Sequence, residues 1–105
     1  MVIMGGIKHD DGKNRWDLLP FDAVEKVVEI YTFGAAEYGE NTWQNVEEER
    51  YWAALLRHIC AARKGEKFDE KSKKLHIAHA AWNCLALIWI ELNKTMEDQN
   101  GTESN

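Results

Sequence analysis

Apolar positions along the chain fall into three stretches of helical period, separated by polar connections that carry glycine. In the first, Phe21, Val24, Val27, Val28 and Tyr31 follow Pro20 at helical spacing. The missing N–H of a proline costs nothing at a helix start. Gly34 and Gly39 are the candidate ends of this helix, since either suits a C-terminal cap. A second helix is expected to begin around Glu47, Glu48 and Glu49, where negative charge complements the helix dipole. Its apolar stripe is Tyr51, Leu55, Ile59 and Ala62, with His58 beside them. Arg63, Lys64 and Gly65 supply the charge sign and cap expected at its end. A third helix is expected from Ser72 or Leu75 to Leu92, and from Ile77 to Ile90 it is apolar nearly all round. A helix without a charged face has to be surrounded. Two other helices of one short chain cover it poorly, so a homo-oligomer with this helix at its centre is the economical arrangement.

Between these stretches the pattern breaks down. Residues 1–19 read as irregular, with Gly5, Gly6 and Gly12 among alternating charges, and residues 93–105 read as a polar, frayed tail. The expected fold is therefore all-α: a small bundle of about three helices with an irregular N-terminal segment, completed by oligomerisation. It forms one domain over residues 1–105, with a helical core over 20–92. A chain of this length buries only about two thirds of its unfolded surface, yet it carries five tryptophans that need cover. The net charge of −5 disfavours duplex nucleic acid, which is bound by a basic face. It leaves room for a nucleotide pocket with a few local cations. Cys60 and Cys84 lie in apolar helical patterns and are expected as buried, reduced thiols. No secretory signal and no apolar run of about 18 residues is visible, so the expected compartment is the cytoplasm, away from membranes.

Two features carry candidate chemistry. His76, His79 and Asn83 share one face of the apolar third helix. Leaving such groups buried and unpaired costs about 1–3 kcal/mol each. They therefore either form a structural network or line a cavity. His58 points inward from the second helix with Arg57 adjoining. The connection between the helices supplies Glu66, Asp69 and Glu70, carboxylates spaced to converge on a hard cation such as Mg²⁺ if helical. The second feature is Lys8, Lys13 and Arg15 on a glycine-containing stretch, a composition suited to wrapping phosphates. The spacing is not that of a Walker A loop. Trp16 and Trp43 are candidates to stack on a base, or else belong to a core or interface.

The run Lys8-His-Asp10-Asp-Gly12-Lys13-Asn-Arg15-Trp16-Asp17-Leu18-Leu19-Pro20 resembles the opening of the phage dATP/dGTP diphosphohydrolase N-terminal family. The resemblance continues through Phe33-Gly34-Ala35-Ala-Glu-Tyr38-Gly39, Asn41-Thr-Trp43, Tyr51, Ala54, Arg57-His58 and Ala61. It ends with Gly65-Glu66, Asp69 and His76-Ile-Ala-His79-Ala80-Ala-Trp-Asn83. That family is similar to the MazG-like all-α nucleotide pyrophosphohydrolases. These are oligomers that use carboxylate-held Mg²⁺ or Mn²⁺ to split a deoxynucleoside triphosphate into monophosphate and pyrophosphate. The resemblance implies Glu66, Asp69, His58 and His79 in catalysis, with Glu66 and Asp69 on the metal. It implies Lys8, Lys13, Arg15, Trp16, Trp43, Arg57, His76 and Asn83 on the substrate. The chain departs from the MazG-like pattern in lacking EExxE: Glu47-Glu48 leads to Tyr51 and Glu48-Glu49 to Trp52. Glu66-xx-Asp69 fits ExxD by letter, but lies before the third helix. A mixed site drawn from His58, Glu66, Asp69, His76 and His79 is the alternative. Two classes stay open: an enzyme acting on purine deoxynucleoside triphosphates, and a phage protein that sequesters a nucleotide signal of host defence without hydrolysis.

Overall fold

The computed structural model describes residues 11–94. Lys8 and the tail beyond residue 94 lie outside them. Three α-helices form as the periodicity predicts: α1 at Phe21–Tyr38, α2 at Glu48–Arg63 and α3 at His76–Leu92. Short 3₁₀ segments at Trp16–Leu18 and Thr42–Asn45 precede α1 and α2. The former gives a local turn to a stretch expected to be irregular. No strand occurs among the described residues, only an isolated bridge between Phe68 and Leu75.

The helix ends follow local chemistry. Pro20 caps α1 from outside, its carbonyl accepting from Val24 N–H at 3.0 Å. Of the two candidate stops, Gly39 is the one used. Its N–H donates to Ala35 C=O at 2.9 Å with φ at +98°, a conformation strained for any residue with a Cβ. Glu48 and Glu49 occupy the first turn of α2 and Arg63 its last. Gly65, again at φ +98°, turns the chain out of α2.

α3 is the element on which α1, α2 and the Thr42–Asn45 segment all pack, most extensively α2. Its buried apolar positions are small side chains, Ala78, Ala80 and Ala86, spread around the helix, which lets its neighbours approach closely. Tyr51 and Leu55 of α2 and Ile30 of α1 fill the space. An aromatic cluster joins the elements. Trp82 lies 5.5 Å from Tyr31 and 5.6 Å from Tyr51, and Trp43 lies 5.1 Å from Trp89, mostly edge to face. The Tyr51 hydroxyl donates to the Trp43 carbonyl, fixing the linker to α2. Lys94 bridges Glu91 at 2.9 Å and Glu48 at 3.7 Å, bringing the end of α3 to the start of α2.

The core stays small. Among the described residues no large side chain is fully buried, and Leu56, Ile77, Leu85, Ile88 and Leu92 are exposed, the last at 78%. Ile59, expected on the inner stripe, is exposed as well, because α2 presents its Tyr51–Leu55 edge to α3. Cys60 and Cys84 are free thiols on the surface, not buried. Apolar spacing alone does not mark which side of an all-apolar helix faces inward. Among the described residues, no helix is long and apolar enough to cross a membrane.

Truncating the buried Leu55 to Ala should cost about 2–4 kcal/mol, by the usual transfer and cavity terms. Truncating exposed Leu56 should cost under ~1 kcal/mol in a lone chain. Chemical denaturation of both variants checks this, and equal losses would mean that the Leu56 side is covered in solution.

Candidate functional site

The connection between α2 and α3 is tied into a fixed shape by its own backbone. Asp69 N–H donates to Lys74 C=O at 2.7 Å, and Lys73 N–H returns to Asp69 C=O at 2.8 Å. Lys73 adopts φ +65° to close this turn. His76 N–H donates to Lys67 C=O at 2.9 Å, so the first residue of α3 is anchored to the loop it leaves. The Asp69 carboxylate accepts from Ser72 N–H at 2.8 Å.

Onto this frame the histidines converge. His76, 5% exposed, presents Nε2 to Glu66 Oε2 at 2.7 Å and Nδ1 to His58 Nδ1 at 2.8 Å. A carboxylate only accepts, so the hydrogen between His76 and Glu66 sits on Nε2. His58 stacks flat on His79, with ring centroids 4.5 Å apart and planes 9° from parallel. His79 Nε2 meets Ser72 Oγ at 2.7 Å. Asn83, 3% exposed, donates through its amide nitrogen to the His79 carbonyl at 2.8 Å, while its buried Oδ1 has no partner.

Burial lowers the His58 imidazole to about 4, helped by His79, His76 and Arg57 and partly opposed by Asp69. Burial likewise lowers His79, against the pull of Asp69. Burial raises the Asp69 carboxyl, but hydrogen bonds from Ser72 and the neighbouring imidazoles outweigh it, leaving Asp69 below the usual carboxylate value. The site at neutral pH is thus an ionised carboxylate beside neutral His58 and His79.

The structure therefore brings together His58, Glu66, Asp69, His76 and His79, with Asn83 one turn further along α3. Arg57 is exposed, next to His58. Lys13, Arg15 and Trp16 gather apart from them, in an open groove lined by Lys13, Asn14, Arg15, Trp16 and Asp17. There Arg15 pairs with Asp17 at 2.7 Å, and Trp16 is 69% exposed. Trp43 stands half-buried in the aromatic cluster. Ser72 joins the site unannounced; a serine in a charged loop gives no spacing signal, and only the loop's turn aims it at His79.

Among the described residues, one group of three metal-ligating side chains converges: His58, Asp69 and His76, with one ligand atom from each within 4.8 Å of the others. Glu66 reaches this group as the hydrogen-bond partner of His76. Two imidazoles and a carboxylate do not fit Mg²⁺, which demands oxygen ligands in near-octahedral order. Mn²⁺ and its later neighbours accept imidazole.

The chain matches the description "dATP/dGTP diphosphohydrolase, N-terminal" over residues 5–100. A protein of Salmonella phage PMBT28 named dATP/dGTP diphosphohydrolase is 32% identical over 95 residues, covering 90% of this chain and 33% of that protein. The chain thus spans about a third of the length of the curated relative it matches. No solved structure matches it.

His58 titrates at about 4 in the folded chain against an ordinary 6.5. Between these values the unfolded chain binds the extra proton, so stability is full above about pH 6.5 and falls as the pH drops toward 4. In chelator, the melting temperature should decline from about pH 7.5 to about pH 5, a window that spans the ordinary histidine value of 6.5. His58→Gln should show a smaller decline. An unchanged decline in that variant would place the acid sensitivity elsewhere.

Proposed function

The chain belongs to the dATP/dGTP diphosphohydrolase N-terminal family, and from that premise we propose that it binds a purine deoxynucleoside triphosphate and hydrolyses it to the monophosphate and pyrophosphate. The observation that carries the reading is the convergence of His58, Asp69 and His76 on a rigid loop, with Glu66 and His79 against them. In the reaction water adds to phosphorus, the P–O bond to pyrophosphate breaks, and the water's proton passes to a base. Asp69, held ionised, suits orienting the water and accepting that proton, with neutral His58 and His79 stacked beside it. Glu66 holds His76 in place. Lys8, Lys13, Arg15 and Arg57 offset phosphate charge, exposed Trp16 stacks on the base, and Asn83 offers its unpartnered Oδ1 as a polar contact, whereas His76, with both ring nitrogens engaged, and Trp43, packed against Tyr31, Trp82 and Trp89, support the site from within the fold. A divalent ion would supply Lewis acidity at the phosphate chain, and of the expected Mg²⁺ or Mn²⁺ the donors suit Mn²⁺ better.

Incubation with mixed nucleoside and deoxynucleoside triphosphates and cyclic nucleotide signals, with Mg²⁺ or Mn²⁺, tests this by chromatography of the free and heat-released fractions. Monophosphate from a purine deoxynucleotide is expected. Ala at Glu66 or Asp69 should abolish turnover while nucleotide binding survives, and undiminished turnover in both variants would sink the assignment. A second reading, sequestration of a nucleotide signal, is favoured by one specific feature: a single carboxylate converges where the MazG-like pattern supplies several. It requires the nucleotide to be released unchanged on denaturation.

The reading includes self-association in the host cytoplasm, supported by the exposed apolar side chains of α3. Light scattering should give a mass at least about twice that of one chain, and Ile88→Glu should halve it or more, since a charge in an apolar interface is strongly unfavourable. A single-chain mass for the unaltered protein would remove the oligomer from the reading.

A further inference from the structure

The donor set of the cluster disagrees with the oxygen-ligated ion that the resemblance implies, and the disagreement is itself informative. We infer that His58, Asp69 and His76 form a binding site for one borderline divalent transition-metal ion of the Zn²⁺ class, with Glu66 serving the site from behind by fixing the ring of His76.

Three observations carry this. First, His58 and His76 point the same kind of atom, Nδ1, at each other across 2.8 Å. Two ring nitrogens so placed need either a shared proton or a shared cation. Two Zn–N bonds of ~2.1 Å meeting at a tetrahedral angle put their nitrogens ~3.4 Å apart, so from 2.8 Å the rings have to separate by about 0.6 Å to admit the ion. Second, the Glu66 carboxylate takes the hydrogen on His76 Nε2 at 2.7 Å. That leaves Nδ1 as the free donor atom, in the carboxylate–histidine–metal arrangement that orients a ligand and raises its basicity. Third, each ligand is held in place by its own neighbours. His76 is buried and anchored through its N–H to Lys67, His58 is stacked on His79, and Asp69 is fixed by Ser72.

Three protein ligands leave at least one position for water or an anionic oxygen. Asp69 supplies the oxygen among two nitrogens, a set that suits Zn²⁺, Co²⁺ and Mn²⁺ and not Mg²⁺. His79 stays outside the set because its Nε2 is engaged by Ser72. The inference goes beyond the hydrolytic reading and does not need it, since a protein that only sequesters a nucleotide would hold the ion equally well.

The test uses the full chain, stripped with chelator and titrated by calorimetry with ZnCl₂, MnCl₂ and MgCl₂ in the absence of nucleotide. One Zn²⁺ per chain is expected, bound at least ~100-fold tighter than Mg²⁺. Cobalt substitution should give visible bands of a nitrogen–oxygen set without a thiolate charge-transfer band, which separates this site from the exposed Cys60 and Cys84. His58→Asn and Asp69→Asn, at half-buried positions chosen to spare the buried His76, should abolish stoichiometric binding. Glu66→Gln should weaken it about 10- to 100-fold with stoichiometry unchanged. Absence of stoichiometric Zn²⁺ binding, binding undiminished in His58→Asn, or Mg²⁺ as the tighter ion would each overturn the site. If His58→Asn fails to fold, the cobalt spectrum of the unaltered chain decides: a thiolate band, or no visible band, counts against it. Loss of stoichiometric binding in folded Glu66→Gln would make Glu66 a direct ligand and overturn its supporting role.

Discussion

The organisation of this protein depends on one constraint: α3 carries no charged face between Ile77 and Ile90, so everything else in the chain has to be arranged around it. The cheapest cover is close helix packing, which is why the buried positions of α3 are so often alanine. Small side chains let α2 approach, and the large rings are displaced to the side. There Trp82 and Trp89 meet Trp43 and the two tyrosines. The linker before α2 is thus drawn into the core by a tryptophan, not by any apolar run of its own. Cover remains incomplete, since Ile77, Leu85, Ile88 and Leu92 stay at the surface.

The same constraint explains the site. Three polar side chains, His76, His79 and Asn83, stand on this apolar helix, and burial makes each demand a partner. Local backbone satisfies Asn83 in part, through the carbonyl of His79. The histidines are satisfied by the connection from α2, which folds back so that Glu66 reaches His76 and Ser72 reaches His79. The charged connection supplies those partners while its own backbone hydrogen bonds, Asp69 to Lys74, Lys73 to Asp69 and His76 to Lys67, fix its turn. Desolvation then keeps the His58 and His79 imidazoles neutral. Neutral, oriented imidazoles beside an ionised carboxylate are the raw material of both proton transfer and metal ligation.

The helices were legible because their signals are local. Capping glycines, acidic first turns and apolar period act within a few residues, and they placed α2 to within a residue or two and left α1 and α3 one open end each, which the structure settles at Gly39 rather than Gly34 and just after Leu75 rather than at Ser72. The His76–His79–Asn83 ladder was legible for the same reason: spacing alone puts it on one face. What spacing could not show was orientation around a uniformly apolar helix. That is why Cys84, expected inside, lies at the surface; on α2 the inward edge runs from Tyr51 through Leu55 to His58, which leaves Ile59 and Cys60 exposed. Nor could spacing distinguish Glu66 and Asp69. The letters read ExxD, a pattern that puts both carboxylates on one helical face. The segment is a turn, however, and a turn sends one carboxylate to His76 and the other to the ligand group. The part of Ser72 depends on the tertiary placement of His79 and has no sequence signature.

Charge places a further demand on any account of the site. The chain carries a net charge of −5, and a triphosphate is itself strongly anionic. The permanent cations felt by the cluster are Arg57 at His58 and Lys74 at His79, while Lys13 and Arg15 lie in a separate groove, with Arg15 already paired to Asp17. Imidazoles held neutral by burial contribute no net charge. A phosphate chain brought against this cluster therefore needs positive charge from elsewhere, and there are two sources. One is the basic stretch of the N-terminal segment, which would have to come across to the α2–α3 connection of its own chain or of a second copy. The other is the proposed ion among His58, Asp69 and His76, which would place two positive charges at the point where the imidazoles converge. The two add rather than compete. An ion there would fix where the anion sits, and the basic residues would set how tightly it is held and how steeply that hold declines with salt.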